Sequence, residues 1–390
     1  MNKLPKLIYS KALHDYKFGP DHPFNPLRLE LTVDLIEKYG LIQEGQMVEP
    51  QSCAIEDLLM VHPENFIKVI EKASQGKESP DLLQTYGLGT DDTPAFSGML
   101  EATQKVVGSA LSGAKMIMEG QTDHVFAIGG GLHHAHRNKA SGFCVLNDAA
   151  VAIAYLQRNY GLNVAYIDTD AHHGDGVQFI FYDDPTVLTI SIHETGRYLF
   201  PGTGQVEERG RFEGYGFSVN IPLEAYTEDD SFIEVYEQTM EPILEAFQPD
   251  ILITQNGCDA HYLDPLTHLA ITTKSFEVIP RLAHRLAHKY CKGRWLALGG
   301  GGYDHWRVVP RAWTLIWAEM NEIELPDEIP VEWLQRWQKE SPVALPLRLR
   351  DGANEFPPIP RREIITDKNR VTLRRSIRDA VELIMSRRAC

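Results

Sequence analysis

The run IDTDAHHGDG, residues 167 to 176, sets three Asp and two His within ten positions. Acids and imidazoles this dense repel one another unless something cationic sits among them. In an extended chain alternate side chains share a face, so Asp168, Asp170 and His172 would point the same way. Two carboxylates and an imidazole suit a divalent metal with oxygen and nitrogen ligands. Taken alone, the pattern reads equally well as a polar strand end whose Asp residues cap the next helix. Other clusters argue for the chemistry. GGGLHHAH places His133 and His134 side by side, and NGCDAHYLD offers Asp259 and Asp264. GGGGYD sets Tyr303 behind four glycines that allow close backbone approach.

These clusters follow runs that read as buried strands: 124–128, 163–170, 250–255 and 294–299, with 186–192 and 217–221 completing the set. Val, Ile and Leu are nearly continuous in them, as expected where helices cover both faces of a parallel sheet. Helical spacing lies between and before them, at 26–39, 94–118, 147–159, 228–247 and 275–292. The alternation predicts an α/β fold built on a single open, mostly parallel, doubly wound sheet with helices on both faces. Ligands of such sheets bind at the carboxyl ends of the strands, where all the clusters fall. Acids, paired histidines and a tyrosine at one sheet edge outline a hydrolytic site.

Residues 1–325 are expected to form the catalytic domain. Residues 326–390 follow as a Pro-rich wrapping segment (341–360) and a basic helix from about Val371 to Ser386, packed on the same domain. The 390 residues carry a formal net charge of −16, which disfavours nucleic acid as a partner. From Arg361 to Cys390 the balance reverses, suggesting a helix docked against its own acidic body. Five scattered cysteines with no CxxC pair fit reduced thiols in a cytoplasm. Neither a signal peptide nor a membrane span is expected.

With these residues in view, the chain resembles the zinc-dependent histone-deacetylase-type amidohydrolases of arginase-like fold, most closely their bacterial acetoin-utilisation branch. The resemblance runs from DHPFNPLR (21–28) to GGGGYDHWRVVPRAW (299–313). It rests on GGGLHHAHRNKASGFCVLND, YIDTDAHHGDG, SIHETGRYLFPGTG, QNGCDAHYLDPLTH and LGGGGY, in the family's order. It implies Asp170, His172 and Asp259 as zinc ligands, a donor set that iron(II) also suits. It implies His134 with Asp175 as general base and acid, and His133 with Asp168 as the pair that orients water. Tyr303 would donate to the oxyanion.

The same resemblance places Phe143 and Phe200 on a lysine-wide tunnel, with Gly142 and Gly301 against the substrate chain. Asp92, or its neighbour Asp91, would be the rim acid, Leu266 an apolar rim residue, and Arg28 a lining of the acetate exit. Potassium is implied beside the zinc at Asp168, Asp170, His172, Ser191 and Ile192, and at a second place around Phe181, Asp184 and Val187. His173 is expected to be a structural hydrogen-bonder.

The implied reaction is hydrolysis of acetyl-lysine in a protein, with an acetyl-CoA synthetase as the implied target. An acetylpolyamine or other small-molecule amidohydrolase is the nearest rival. Against it stand Leu266 and the lack of a long insertion. A dinuclear manganese ureohydrolase would need carboxylates where this chain has His133 and His134. A catalytically silent acetyl-lysine-binding relative would have lost Tyr303, a histidine or a ligand, and none is lost.

Overall fold

The computed structural model describes residues 3–388. Eight strands form one sheet: β1 (Lys6–Ile8), β2 (Met47–Val48), β3 (His124–Ala127), β4 (Val164–Asp168), β5 (Val187–Glu194), β6 (Ser218–Leu223), β7 (Ile251–Gln255) and β8 (Trp295–Leu298). Their order is β2-β1-β3-β8-β7-β4-β5-β6, and every neighbouring pair is parallel. Strands β3, β4, β5, β7 and β8 are buried at every position, which requires cover on both faces. Their near-continuous Val, Ile and Leu made them legible. β1 and β2 are too short to leave such a run.

Register explains why the chemistry converges. Ala127 lies beside Leu298, Leu298 beside Gln255, Gln255 beside Asp168, and Asp168 beside Ser191. Four loops, after β3, β8, β7 and β4, therefore leave the sheet at one level and each carries one of the polar clusters, while β5 runs on to Glu194.

The helices are α1 (Leu27–Lys38), α2 (Ile55–Leu58), α3 (Glu64–Ser74), α4 (Pro80–Thr85), α5 (Met99–Met118), α6 (Asp148–Tyr160), α7 (Asp175–Ile180), α8 (Asp229–Phe247), α9 (Thr273–Tyr290), α10 (Val309–Met320), α11 (Val331–Trp337) and α12 (Arg362–Arg388). Two local signals show how the ends are set. Asn147 caps α6 by accepting from the Ala150 amide, and Gly161 closes it in the left-handed region at φ 64°. Helix α10 escaped the sequence reading because it is apolar nearly all round. Its residues are buried on almost every face, so no 3.6-residue period stands out.

Helix α12 begins nine residues before the expected Val371. Its first turns look polar, yet Asn369 is buried, donating to Thr227 and Ser231 and accepting from the Glu224 amide. Ser376 donates to the Asn220 carbonyl of β6, so the helix lies along that edge strand. Arg362, Lys368 and Arg370 pair with Glu228, Glu224 and Glu234. Exposed pairs contribute only about 0–1 kcal/mol each. Docking therefore rests mainly on buried Leu373, Ala380, Ile384 and Asn369.

The Pro-rich segment is tied to the body at Asp351, whose side chain is buried and accepts from Arg311, His261 and the Thr273 amide. Trp333, Trp337 and Leu345 form a second apolar cluster with Leu31 and Leu35 of α1. The four described cysteines are buried and unbridged, and Cys390 lies outside the described residues. No helix of the described residues is long and apolar enough to cross a membrane.

Candidate active site

The loop after β3 is held from behind. Asp148, the first residue of α6, accepts from the amides of Gly131 (2.9 Å) and Leu132 (2.7 Å). Asn147 donates to the carbonyls of His133 and Ala135. His62 Nε2 accepts from the Asn147 amide, which leaves its Nδ1 to donate to the Arg137 carbonyl. None of these supports was singled out from sequence, although Asn147 and Asp148 close the GGGLHHAHRNKASGFCVLND motif.

Burial holds the His62 pKa at about 4, against an ordinary 6.5. The unfolded chain then binds the extra proton more readily between those values, so stability is lost as pH falls from 6.5 towards 4. The expected loss is about 3 kcal/mol at most. Urea unfolding across this range should show it, with a shallower slope in His62→Gln.

His133 and His134 are buried and each is oriented by a carboxylate. His133 Nδ1 lies 2.8 Å from Asp168 Oδ2, and His134 Nδ1 lies 2.7 Å from Asp175 Oδ1. Their Nε2 atoms face each other at 3.0 Å, so one proton stands between the two rings. Burial alone would lower the His133 pKa, but the Asp168 and Asp170 carboxylates outweigh it and hold it above its ordinary value. Burial, and then the charge of His133, hold His134 below its ordinary value. The proton therefore resides on His133, leaving His134 as the unprotonated partner. Tyr166 adds a 2.7 Å hydrogen bond to Asp168 Oδ2.

Asp170, His172 and Asp259 lie together, with a ligand atom from each within 4.8 Å of the others. His172 Nδ1 is 3.1 Å from Asp170 Oδ1 and 2.9 Å from Asp259 Oδ2. Among the described residues the only ion-pair partners of these acids are His133 and His172. Two buried carboxylates with one imidazole and no Lys or Arg fit a divalent cation. The remaining oxygens are spoken for by Gln255 and the Gly301 amide on Asp170 and by the Ala171 amide on Asp259. Such contacts fix the ligand orientations.

Extended alternation is not what gathers these residues. β4 ends at Asp168, whose carboxylate turns to His133 and Tyr166. Asp170 and His172 follow in a loop braced by the His172 amide on Asp170 Oδ1. Asp264, offered from sequence beside Asp259, is not in the cluster. It accepts from the amides of Leu266 (3.0 Å) and Tyr303 (2.8 Å), joining the rim loop to the tyrosine loop.

Tyr303 is half-buried and reaches the same space. Burial, and then Asp259 and Asp170, push its pKa well up, so the hydroxyl keeps its proton and remains a donor. Phe143 packs edge-on against it, with ring centres 5.7 Å apart. Phe143 itself has a φ of 67°, held by Tyr16, whose hydroxyl donates to its carbonyl and accepts from the Val145 amide. Phe200 is exposed and stands edge-on to His134 at 5.0 Å.

Gly142 has a φ of +49°, and a Cβ there would lie 2.5 Å from His134 Cδ2 and 2.8 Å from Phe200 Cε1. Gly142→Ala is accordingly expected to lower kcat/KM by about 10²-fold through displacement of His134. Steady-state kinetics beside a folding control would check this. At Gly301 a Cβ would lie 2.2 Å from Asp259 Oδ2.

The other positions fall as follows. Asp91 and Asp92 are exposed; the Asp92 carbonyl lies 3.3 Å from His22 Nε2, and the His22 ring meets Phe143. Leu266 is half-buried on the loop after β7. Arg28 is buried beneath Tyr303, donating to the Gly302 carbonyl, while its Nε has no partner among the described residues. Ser191 lies beside Asp168 in register, with Ile192 next to it on β5. Phe181, Asp184 and Val187 share one turn, linked by backbone bonds. His173 contacts Thr203 (2.8 Å) and Gln178 (3.1 Å) and does not join the ligand group.

The acetoin utilization protein AcuC of Bacillus subtilis is 54% identical over 370 residues, covering 95% of this chain and 96% of that protein. AcuC of Staphylococcus aureus (strain MSSA476) is 43% identical over 364 residues, covering 93% and 94%. The crystal structure of a histone deacetylase homologue from Aquifex aeolicus superposes with a TM-score of 0.83 at 28% identity, over 94% of this chain and 100% of that one. Residues 22–320 match the histone deacetylase domain, and the chain belongs to that family.

Proposed function

We propose that the protein is a zinc-dependent deacetylase that hydrolyses the acetyl amide of acetyl-lysine in a protein substrate. The observation that carries the reading is the facing pair of His–Asp dyads, 3.0 Å apart at Nε2, beside two acids and an imidazole. Asp170, His172 and Asp259 would hold the zinc. Bound there, zinc supplies Lewis acidity towards the amide carbonyl and makes water more acidic.

The chain's own residues do the rest. His134 Nε2, kept unprotonated, takes a proton from the attacking water and returns it to the leaving amine, while Asp175 fixes its tautomer. His133, kept cationic by Asp168, holds the water in place and favours negative charge nearby. Tyr303 donates to the carbonyl oxygen as charge develops on it. Phe143, Phe200, Gly142 and Gly301 would admit a thin alkyl stem, and Arg28, with an unpartnered buried donor, would receive the acetate. Potassium at Asp168, Asp170, His172, Ser191 and Ile192 would offset the clustered acids; the turn at Phe181, Asp184 and Val187 would hold a second.

The AcuC relatives' name places them in acetoin utilization, and the family resemblance implies an acetyl-CoA synthetase as target in the cytoplasm. The test is amine release from an acetyl-lysine peptide and from acetylated polyamines, side by side. Faster turnover of the peptide is expected. Faster turnover of the polyamines would overturn the protein substrate while leaving the mechanism in place.

A further inference from the structure

A second group of histidines lies at the other end of the sheet. His124 opens β3 and sits beside Trp295, the first residue of β8. His284 and His288 stand one turn apart on α9, and their rings approach His124 with centres at 4.6 and 5.1 Å. One nitrogen from each of the three lies within 4.8 Å of the other two. The active-site loops leave the opposite, carboxyl ends of these same strands, and no step of the mechanism uses this cluster.

Its hydrogen bonding is unlike that of packed core histidines. His284 Nδ1 lies 2.9 Å from Glu319 Oε1 on α10, so the carboxylate takes that N–H and turns a lone pair inward at Nε2. That Nε2 faces His288 Nε2 at 3.1 Å. His124 is only 8% exposed, and its Nε2 has no hydrogen-bond partner among the described residues. A buried polar atom left without a partner is destabilising, and a metal ligated there would satisfy it. His288 is exposed, which opens a path from solvent.

We propose that His124, His284 and His288 bind a divalent transition metal of the zinc, nickel or copper class, with Glu319 orienting His284 from behind. Imidazole donors select these ions over magnesium or calcium. A carboxylate behind a ligating histidine fixes its tautomer and raises its basicity. Three protein ligands leave a position facing solvent, beside His288. The ion would join the amino ends of β3 and β8 to α9 and α10, so its effect is on stability and not on turnover.

The test uses the untagged full chain, stripped with chelator, dialysed against buffered Zn²⁺ and analysed for zinc per chain. Two equivalents are expected in the parent, one in His288→Ala and one in Asp259→Asn. None is expected in the double variant. The exposed position of His288 keeps that variant foldable, and its deacetylase activity should match the parent's. In Asp259→Asn, Zn²⁺ should raise the unfolding temperature, and His288→Ala on top should abolish the rise. One equivalent lost in His288→Ala but kept in Asp259→Asn would support this site and count against the active-site ligands. A single equivalent lost in Asp259→Asn alone would overturn the proposal. So would a second equivalent that survives both His288→Ala and His284→Ala.

Discussion

His134→Ala is expected to lower kcat on an acetyl-lysine peptide by about 10²–10⁴-fold, the range for removal of a positioned general base and acid. The ring is the unprotonated member of the pair, since burial and the charge of His133 keep the proton off it. Its other nitrogen is engaged by Asp175 at 2.7 Å, so no competing tautomer is available. Alanine removes the base but leaves Asp170, His172 and Asp259 in place, and zinc content should therefore equal the parent's. Asp175 also lies 3.3 Å from His136 Nε2, so it keeps one partner and the fold should survive. Rapid-quench kinetics with metal analysis would check both halves. A variant that lost its metal together with its activity would show His134 to be supporting the ligands instead.

Tyr303→Phe should cost about 10²–10³-fold in kcat, the effect of deleting one oxyanion donor. The ring is already placed by Phe143 on one side and by the 2.8 Å bond from its amide to Asp264. Phenylalanine keeps that placement and removes only the hydroxyl, so KM should change little. Equal losses in kcat and kcat/KM would mark an interaction made chiefly in the transition state. A rise in KM with kcat unchanged would contradict the assignment.

Much of this site was legible because the sheet delivers it. Each central strand is a short apolar run, and the polar cluster that follows is contiguous in sequence. What stayed hidden is held by residues far apart in the chain. Tyr16 supports Phe143 across 127 positions, and Gln255 supports Asp170 across 85. No local pattern in the sequence announces such a partner. His284 and His288 show a helical i, i+4 spacing, but His124, 160 positions away, reads only as the start of a strand until β3 and α9 are packed. Asp264 shows the converse: an acid in the right motif that serves backbone amides. The helix of the basic tail starts at Arg362, ahead of the expected Val371, because Asn369 is polar in composition yet buried by docking.

The central claim is that Asp170, His172 and Asp259 hold a metal on which amide hydrolysis depends. The most direct measurement is acetate release from an acetyl-lysine peptide by chelator-stripped His288→Ala protein as Zn²⁺ is added back. Activity should rise in proportion to zinc bound and level off at one equivalent. Asp259→Asn in the same background should bind no zinc and release no acetate. Full activity in the stripped protein, or in that Asp259→Asn variant, would contradict the account.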